Sequence, residues 1–185
     1  RARHRHQVGA PAAGGQPGNG IQHAEMFPLL RADSTNPLEL FQIWVNLPRS
    51  HKMVPPHFTM LWNEKIPRVV EADTNGRIVE ITVAAGSFKG ASPPSPPPNS
   101  YASQPTSDLA IWNLKLESGA IFELPEVRPG TLRSLYVHRG GGIQIAGTEV
   151  RNKSRVQIED SGRVSLKNGG EETEILLLQA RPIDE

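Results

Sequence analysis

Leu109-Ala110-Ile111-Trp112-Asn113-Leu114-Lys115-Leu116, then Glu117-Ser118-Gly119-Ala120, then Ile121-Phe122-Glu123-Leu124, is the stretch on which the fold turns. Apolar side chains alternate with polar ones through Asn113-Leu114-Lys115-Leu116, the period-2 pattern of a strand with one buried face. Gly119 then supplies the positive φ a tight turn needs at no steric cost, and a second short strand begins at Ile121. The same texture continues over 132–138, 142–145, 154–158 and 175–180, each a short apolar run bounded by Gly-rich or Asn-Gly turns. Strands at such spacing, with helical periodicity nearly absent, predict an all-β sandwich or barrel.

Working toward the amino terminus, 78–83 alternates in the same way after the turn signal Asp73-Thr74-Asn75-Gly76, which predicts a hairpin. Phe41, Ile43 and Val45 alternate with Gln42 and Trp44, predicting a further strand that Asn46-Leu47-Pro48 ends. Between these parts, 91–106 carries Pro93, Pro94, Pro96, Pro97, Pro98 and Pro105 among Ser and Asn. It has too few backbone donors for a sheet and reads as an extended linker or long loop between two β-rich parts. Residues 1–20 hold little besides Arg, Ala, Gly, Pro and His, which predicts a disordered or non-native lead-in over 1–19.

Composition removes several function classes. With 20 Lys+Arg against 19 Asp+Glu the formal charge is +1, so no global field draws in nucleic acid or an acidic membrane. The absence of cysteine excludes disulfides, thiolate zinc sites and thiol nucleophiles, leaving His, Asp and Glu as metal ligands. No apolar run approaches the ~20 residues of a membrane helix. The expectation is a soluble cytoplasmic protein, or a nuclear one in a eukaryote. Arg139-Gly140-Gly141-Gly142 reads as a turn, since neither Lys-Ser nor Lys-Thr follows as in a phosphate loop. No Ser-His-Asp set can be assembled, so hydrolase chemistry has no support.

His23 and Glu25 stand two apart, so on a strand both side chains leave one face and can reach one ion. Imidazole plus carboxylate suits non-haem Fe(II), and also Mn, Ni, Cu or Zn. The plainer account is a surface His beside a surface Glu. His51 and His57 flank the proline-bearing Lys52-Met53-Val54-Pro55-Pro56 and read as exposed or packing residues. His138 has Tyr136 and Gly140 where a second ligand would stand. Phe27, Phe41, Trp44, Trp62 and Trp112 are expected in the core, the sharper alternative being the lining of a pocket for an aromatic substrate.

The residues around the His-x-Glu pair narrow the choice. Gly20-Ile21-Gln22-His23-Ala24-Glu25-Met26, then Leu40-Phe41-Gln42-Ile43-Trp44-Val45-Asn46-Leu47-Pro48, then Lys52-Met53-Val54-Pro55-Pro56, resemble the central block of the pirin family. Ile175-Leu176-Leu177-Leu178-Gln179-Ala180-Arg181-Pro182-Ile183 is similar to that family's late strand. The resemblance implies two jelly-roll cupin barrels with a mononuclear metal, usually iron, in the first, held by three histidines and a glutamate. His23 and Glu25 match the later histidine and the glutamate of that set, and the resemblance makes Glu25 a candidate base. It further implies either a metal-dependent dioxygenase opening flavonols such as quercetin, or a non-enzymatic regulator that binds a transcription factor or a metabolic enzyme. No metal is implied for the second cupin.

The family's His-Pro-His-Arg-Gly-Phe type motif, which carries the other two ligands, is not found here, and His4-Arg5-His6 lacks the Gly-Phe and lies too near His23 to replace it. Family members also continue past a segment like Arg181-Pro182-Ile183, so by the resemblance the sequence reads as truncated at both ends. The expected organisation is a lead-in over 1–19, the carboxy-terminal part of the first cupin over 20–90, a linker or loop over 91–106, and a second cupin over 107–185, incomplete at its end.

Overall fold

The computed structural model describes residues 12–22, 24, 29–159 and 162–183. Twelve strands are found among them: β1 (Ala12–Gln16), β2 (His57–Leu61), β3 (Arg68–Ala72), β4 (Ile78–Ala85), β5 (Ala110–Leu116), β6 (Ile121–Leu124), β7 (Leu132–Arg139), β8 (Ile143–Ile145), β9 (Thr148–Val150), β10 (Ser154–Ile158), β11 (Val164–Asn168) and β12 (Thr173–Ala180). The described residues include no α-helix, and none of their helical turns is long and apolar enough to cross a membrane. The fold is all-β, as the strand periodicity predicts.

A six-stranded antiparallel sheet, ordered β10-β7-β12-β5-β4-β3, packs against a four-stranded one, ordered β6-β11-β8-β9. The alternation in β5 sends Ala110, Trp112, Leu114 and Leu116 inward, and β4 does the same with Val79, Ile81 and Val83. From the opposite sheet Phe122, Leu124, Ile143, Ile145, Val164 and Leu166 meet them, closing one continuous apolar core.

The hairpin at Asp73–Gly76 forms as expected, joining β3 to β4. Its turn is fastened by the Asp73 carboxylate, which accepts the backbone N–H groups of Asn75 at 2.7 Å, Arg77 at 3.0 Å and, from β6, Ile121 at 3.0 Å. The bond from the Arg77 N–H is the largest influence holding this carboxyl below the ordinary carboxylate range, against an opposing desolvation. A depressed folded-state pKa adds stability that is fully present above the unfolded value and is lost as pH falls through the folded value. Thermal melts of Asp73→Asn are therefore expected to start lower at neutral pH and to fall less steeply on acidification than those of the parent.

Asn168, at the end of β11, is a second knot. Its buried Nδ2 donates to the carbonyls of Leu116 (3.0 Å), Glu117 (2.8 Å) and Glu171 (2.8 Å), while Oδ1 accepts from Gly169 N–H at 2.9 Å. Asn168→Ala strips partners from several main-chain groups at once, and urea unfolding is expected to show a loss of about 1–3 kcal/mol. Gly140, in the turn after β7, has φ +110, and a Cβ there would lie 2.8 Å from the Glu172 carbonyl oxygen. Only glycine fits that turn.

The proline-rich stretch belongs to the loop joining β4 to β5, which are neighbours in one sheet. The loop is anchored by buried Tyr101, whose hydroxyl donates to the carbonyls of Arg181 (3.1 Å) and Pro182 (3.3 Å) just beyond β12. β3 and β4, which precede this loop, thus continue the same sheet as β5, β7, β10 and β12, which follow it.

Two expectations are corrected. The strand predicted at 41–45 does not form: 29–48 runs without a ladder. Its alternation is real, with Ile43 and Val45 half-buried and Gln42 and Trp44 exposed, but it comes from a strap lying against β5, β7 and β12 side chains. Within the expected lead-in, Ala12–Gln16 is a strand paired with β2, from Ala12 opposite Leu61 to Gln16 opposite His57. A backbone ladder needs no apolar side chains, so a run of Ala and Gly can complete an edge that composition does not foresee.

Candidate functional site

His23 and Glu25 lie outside the described residues, as do His4, His6 and Phe27. What is described is how the chain enters and leaves their segment. After β1 it reverses through Pro17–Gly20, with Gly20 N–H donating to the Pro17 carbonyl at 2.7 Å and Asn19 N–H to the Val54 carbonyl at 3.1 Å. Gly18, at φ +49, sits so close to the Val54 carbonyl oxygen that a Cβ would meet it at 2.1 Å. The residues before His23 are thereby held against the Lys52-Met53-Val54-Pro55-Pro56 segment.

Beyond Glu25 the strap is pinned to the outer face of the six-stranded sheet. Glu39 stands 2.6 Å from Arg139 Nη2 and 3.4 Å from His138 Nδ1, and Arg139 Nη1 in turn donates to Glu174 at 2.9 Å. The Glu174 carboxylate first, and then Glu39, raise the Arg139 guanidinium further above its ordinary pKa. His138 Nε2 lies 3.1 Å from Asn113 Oδ1, and the Phe41 ring meets the imidazole edge-on at 4.8 Å. His138 Nδ1 is within ion-pair distance of Glu39 but finds no hydrogen-bond geometry there. This cluster holds the strap; with Asn113 and Phe41 as neighbours it presents no set of metal ligands.

His51, in a single helical turn at Arg49–His51, lies 3.3 Å from Ser50 Oγ through Nδ1, and His57 is exposed at the start of β2. Neither converges with other ligands: among the described residues no group of three or more His, Asp or Glu could hold a metal ion. The described residues therefore do not fit the full ligand set that the family resemblance implies. Any site built on His23 and Glu25 needs ligands from elsewhere.

The aromatic residues divide against expectation. Trp112 is in the core at 4% exposure, but Trp44 is 89% exposed, Trp62 53% and Phe41 45%. Sequence reasoning missed the Glu39-His138-Arg139-Glu174 cluster because Glu39 and Arg139 are 100 positions apart, and no local pattern marks such a pair.

No protein-family model matches the chain. It is 30% identical over 169 residues to a Pseudomonas aeruginosa protein provisionally named quercetin 2,3-dioxygenase, a match covering 90% of this chain and 54% of the relative. With Pirin from Rattus norvegicus it shares 47% identity over 51 residues, 28% of this chain and 16% of that one. Among solved structures, a quercetin 2,3-dioxygenase from Acinetobacter baumannii superposes with a TM-score of 0.60 at 26% identity, covering 77% of this chain and 45% of the other. The chain spans about half the length of the Pseudomonas relative and much less of Pirin.

Proposed function

Since the chain is a pirin-like cupin protein, we propose that it takes part in a mononuclear iron site through His23 and Glu25, and that the protein containing this site acts on flavonol-like aromatic substrates. The observation that carries the reading is the 30% identity, sustained over 90% of the chain, to a relative named for quercetin 2,3-dioxygenase activity. A bound Fe(II) would supply Lewis acidity toward a flavonol hydroxyl or dioxygen. His23 would offer a neutral imidazole nitrogen. Glu25 would serve as an anionic ligand and as the group that takes the substrate's hydroxyl proton.

The described part of the chain has a supporting role in this scheme. The turn at Pro17–Gly20 and the strap bound through Glu39 fix the two ends of the segment bearing both ligands. A segment held at both ends loses less entropy when its side chains close on an ion.

The 47% identity with Pirin favours a second reading, a non-enzymatic regulator whose metal state alters a surface that meets a transcription factor or a metabolic enzyme. Oxygen uptake with quercetin separates the two. A protein carrying the complete ligand set and loaded with Fe(II) is expected to consume oxygen only when quercetin is present, with activity falling to background in Glu25→Ala. Stoichiometric iron with no quercetin-dependent uptake would instead support the regulator.

A further inference from the structure

The contacts that pin the strap close into a ring on the outer face of the six-stranded sheet. Glu39 Oε2 accepts from Arg139 Nη2, and Arg139 Nη1 donates to Glu174 Oε1. The other oxygen of Glu174 accepts from Asn113 Nδ2 at 3.2 Å, and Asn113 Oδ1 lies 3.1 Å from His138 Nε2. His138 Nδ1 completes the circuit, 3.4 Å from Glu39 Oε1. The strap, β5, β7 and β12 each contribute a member.

This ring dictates which hydrogens His138 carries. An ionised carboxylate can only accept, so Glu174 turns the Asn113 amide with Nδ2 toward itself and Oδ1 toward His138. Oδ1 can only accept in its turn, which places a hydrogen on Nε2. In the neutral imidazole Nδ1 is then a bare lone pair, shut off from solvent and facing a Glu39 carboxylate oxygen. Two acceptors meet there, and the contact is repulsive. In the imidazolium both nitrogens carry hydrogen, and the same contact becomes an ion pair.

The charges around the ring agree. Glu39 and Glu174 set two negative charges against the single positive charge of Arg139, so a charged His138 brings the ring to neutrality. Other charged groups on this face are committed elsewhere: Lys115 of β5 pairs with Glu172 at 3.1 Å, and Arg155 of β10 bonds to Ser134 and Gln157. Tyr136 is the neighbour of His138 along the same face of β7, and Phe41 covers the imidazole from the strap.

We propose that His138 is a proton-operated latch on the strap: charged, it closes the ring and holds 29–48 against the sheet, and neutral, it turns a lone pair on Glu39 and lets the strap lift. Without the latch the strap rests on half-buried Ile43 and Val45, which share a groove with Ile111 and Leu178 of the sheet. Histidines change charge between about pH 5 and 8, an interval over which carboxylates as a class stay ionised and guanidinium stays charged. The strap is therefore held on the acid side of that interval and loosened on the alkaline side. The latch does not depend on the iron reading, because neither His23 nor Glu25 belongs to the ring.

The chain has no cysteine, so a nitroxide attached at Gln42→Cys, an exposed strap position, reports the mobility of the strap alone by electron paramagnetic resonance. Spectra are taken in the presence of EDTA. From about pH 5.5 to about pH 8 the ratio of mobile to immobile label is expected to rise about three- to tenfold, the worth of one half-exposed charge-assisted contact. The midpoint is expected to coincide with that of the His138 ring signals in NMR spectra, assigned by their loss in His138→Gln. In His138→Gln and in Glu39→Gln, each carrying the same label, the rise is expected to disappear. A parent ratio that stays constant or falls over this interval overturns the proposal, as does a rise that persists in either variant. Should His138→Gln not fold, Glu39→Gln, altered at a half-exposed side chain, decides the matter alone.

Discussion

Replacing Leu177 by alanine is expected to destabilise the fold by about 2–5 kcal/mol, the span for a leucine removed from a core that cannot collapse around the void. Leu177 is fully buried on β12, opposite Trp112 of β5 on one side and Leu135 of β7 on the other. Both neighbours are themselves held by ladders, so neither can move in without breaking main-chain hydrogen bonds. The loss is a large share of the 5–15 kcal/mol by which domains of this kind are stable. Urea unfolding of the variant should show a lower midpoint at unchanged slope. Val70→Ala, at an exposed site on the edge strand β3, should stay within about 0.5 kcal/mol of the parent. Equal effects at the two positions would mean that the sandwich is not closed as described.

The strands that carry this core were the most legible part of the sequence. Ile121–Leu124 and Ser154–Ile158 match their predicted limits, and β5, β7, β8 and β12 match within two residues, because Gly and Asn turns bound alternating runs. β9 and β11 went unread. Thr148–Val150 is only three residues long. Val164–Asn168 alternates buried and exposed positions, but with only Val164 and Leu166 as apolar residues and a polar Asn168 facing inward. The error at 41–45 has a different source, since alternating burial arises wherever an extended chain lies flat on a surface, whether or not a neighbouring strand bonds to it. Trp44 shows the consequence, standing 89% exposed where a core position was expected. The proline run illustrates a further limit: it is written alike in a linker and in a loop between adjacent strands, and the ladder from β4 to β5 makes it the loop here.

The candidate site was legible only as a motif. Two residues at His-x-Glu spacing, set in a block resembling pirin, suggest a candidate ligand pair, while the number and source of any remaining ligands depend on tertiary placement. The strap cluster was not legible at all. Its members come from 39–41, 113, 138–139 and 174, brought together by sheet order alone.

That limit sets the second large effect, which concerns iron. A mononuclear site needs three or more protein ligands to hold Fe(II) against water, and the proposed pair His23 and Glu25 would supply two. No group of three described side chains can supply a site by itself. This chain alone is therefore expected to bind Fe(II) at least tenfold more weakly than a protein with the complete ligand set, by the ~10–100-fold scale on which even outer-sphere partners matter. It should show no quercetin-dependent oxygen uptake. Stoichiometric iron that disappears on replacing His4 and His6 together by Ala would place the missing pair in that stretch.

The most direct measurement is the iron content of the 185-residue chain after anaerobic Fe(II) loading and gel filtration, beside that of the His23→Ala/Glu25→Ala variant. The prediction is well below one iron per chain for the parent and none for the variant. One tightly held iron per chain that survives loss of both residues would contradict the assignment of the metal to His23 and Glu25.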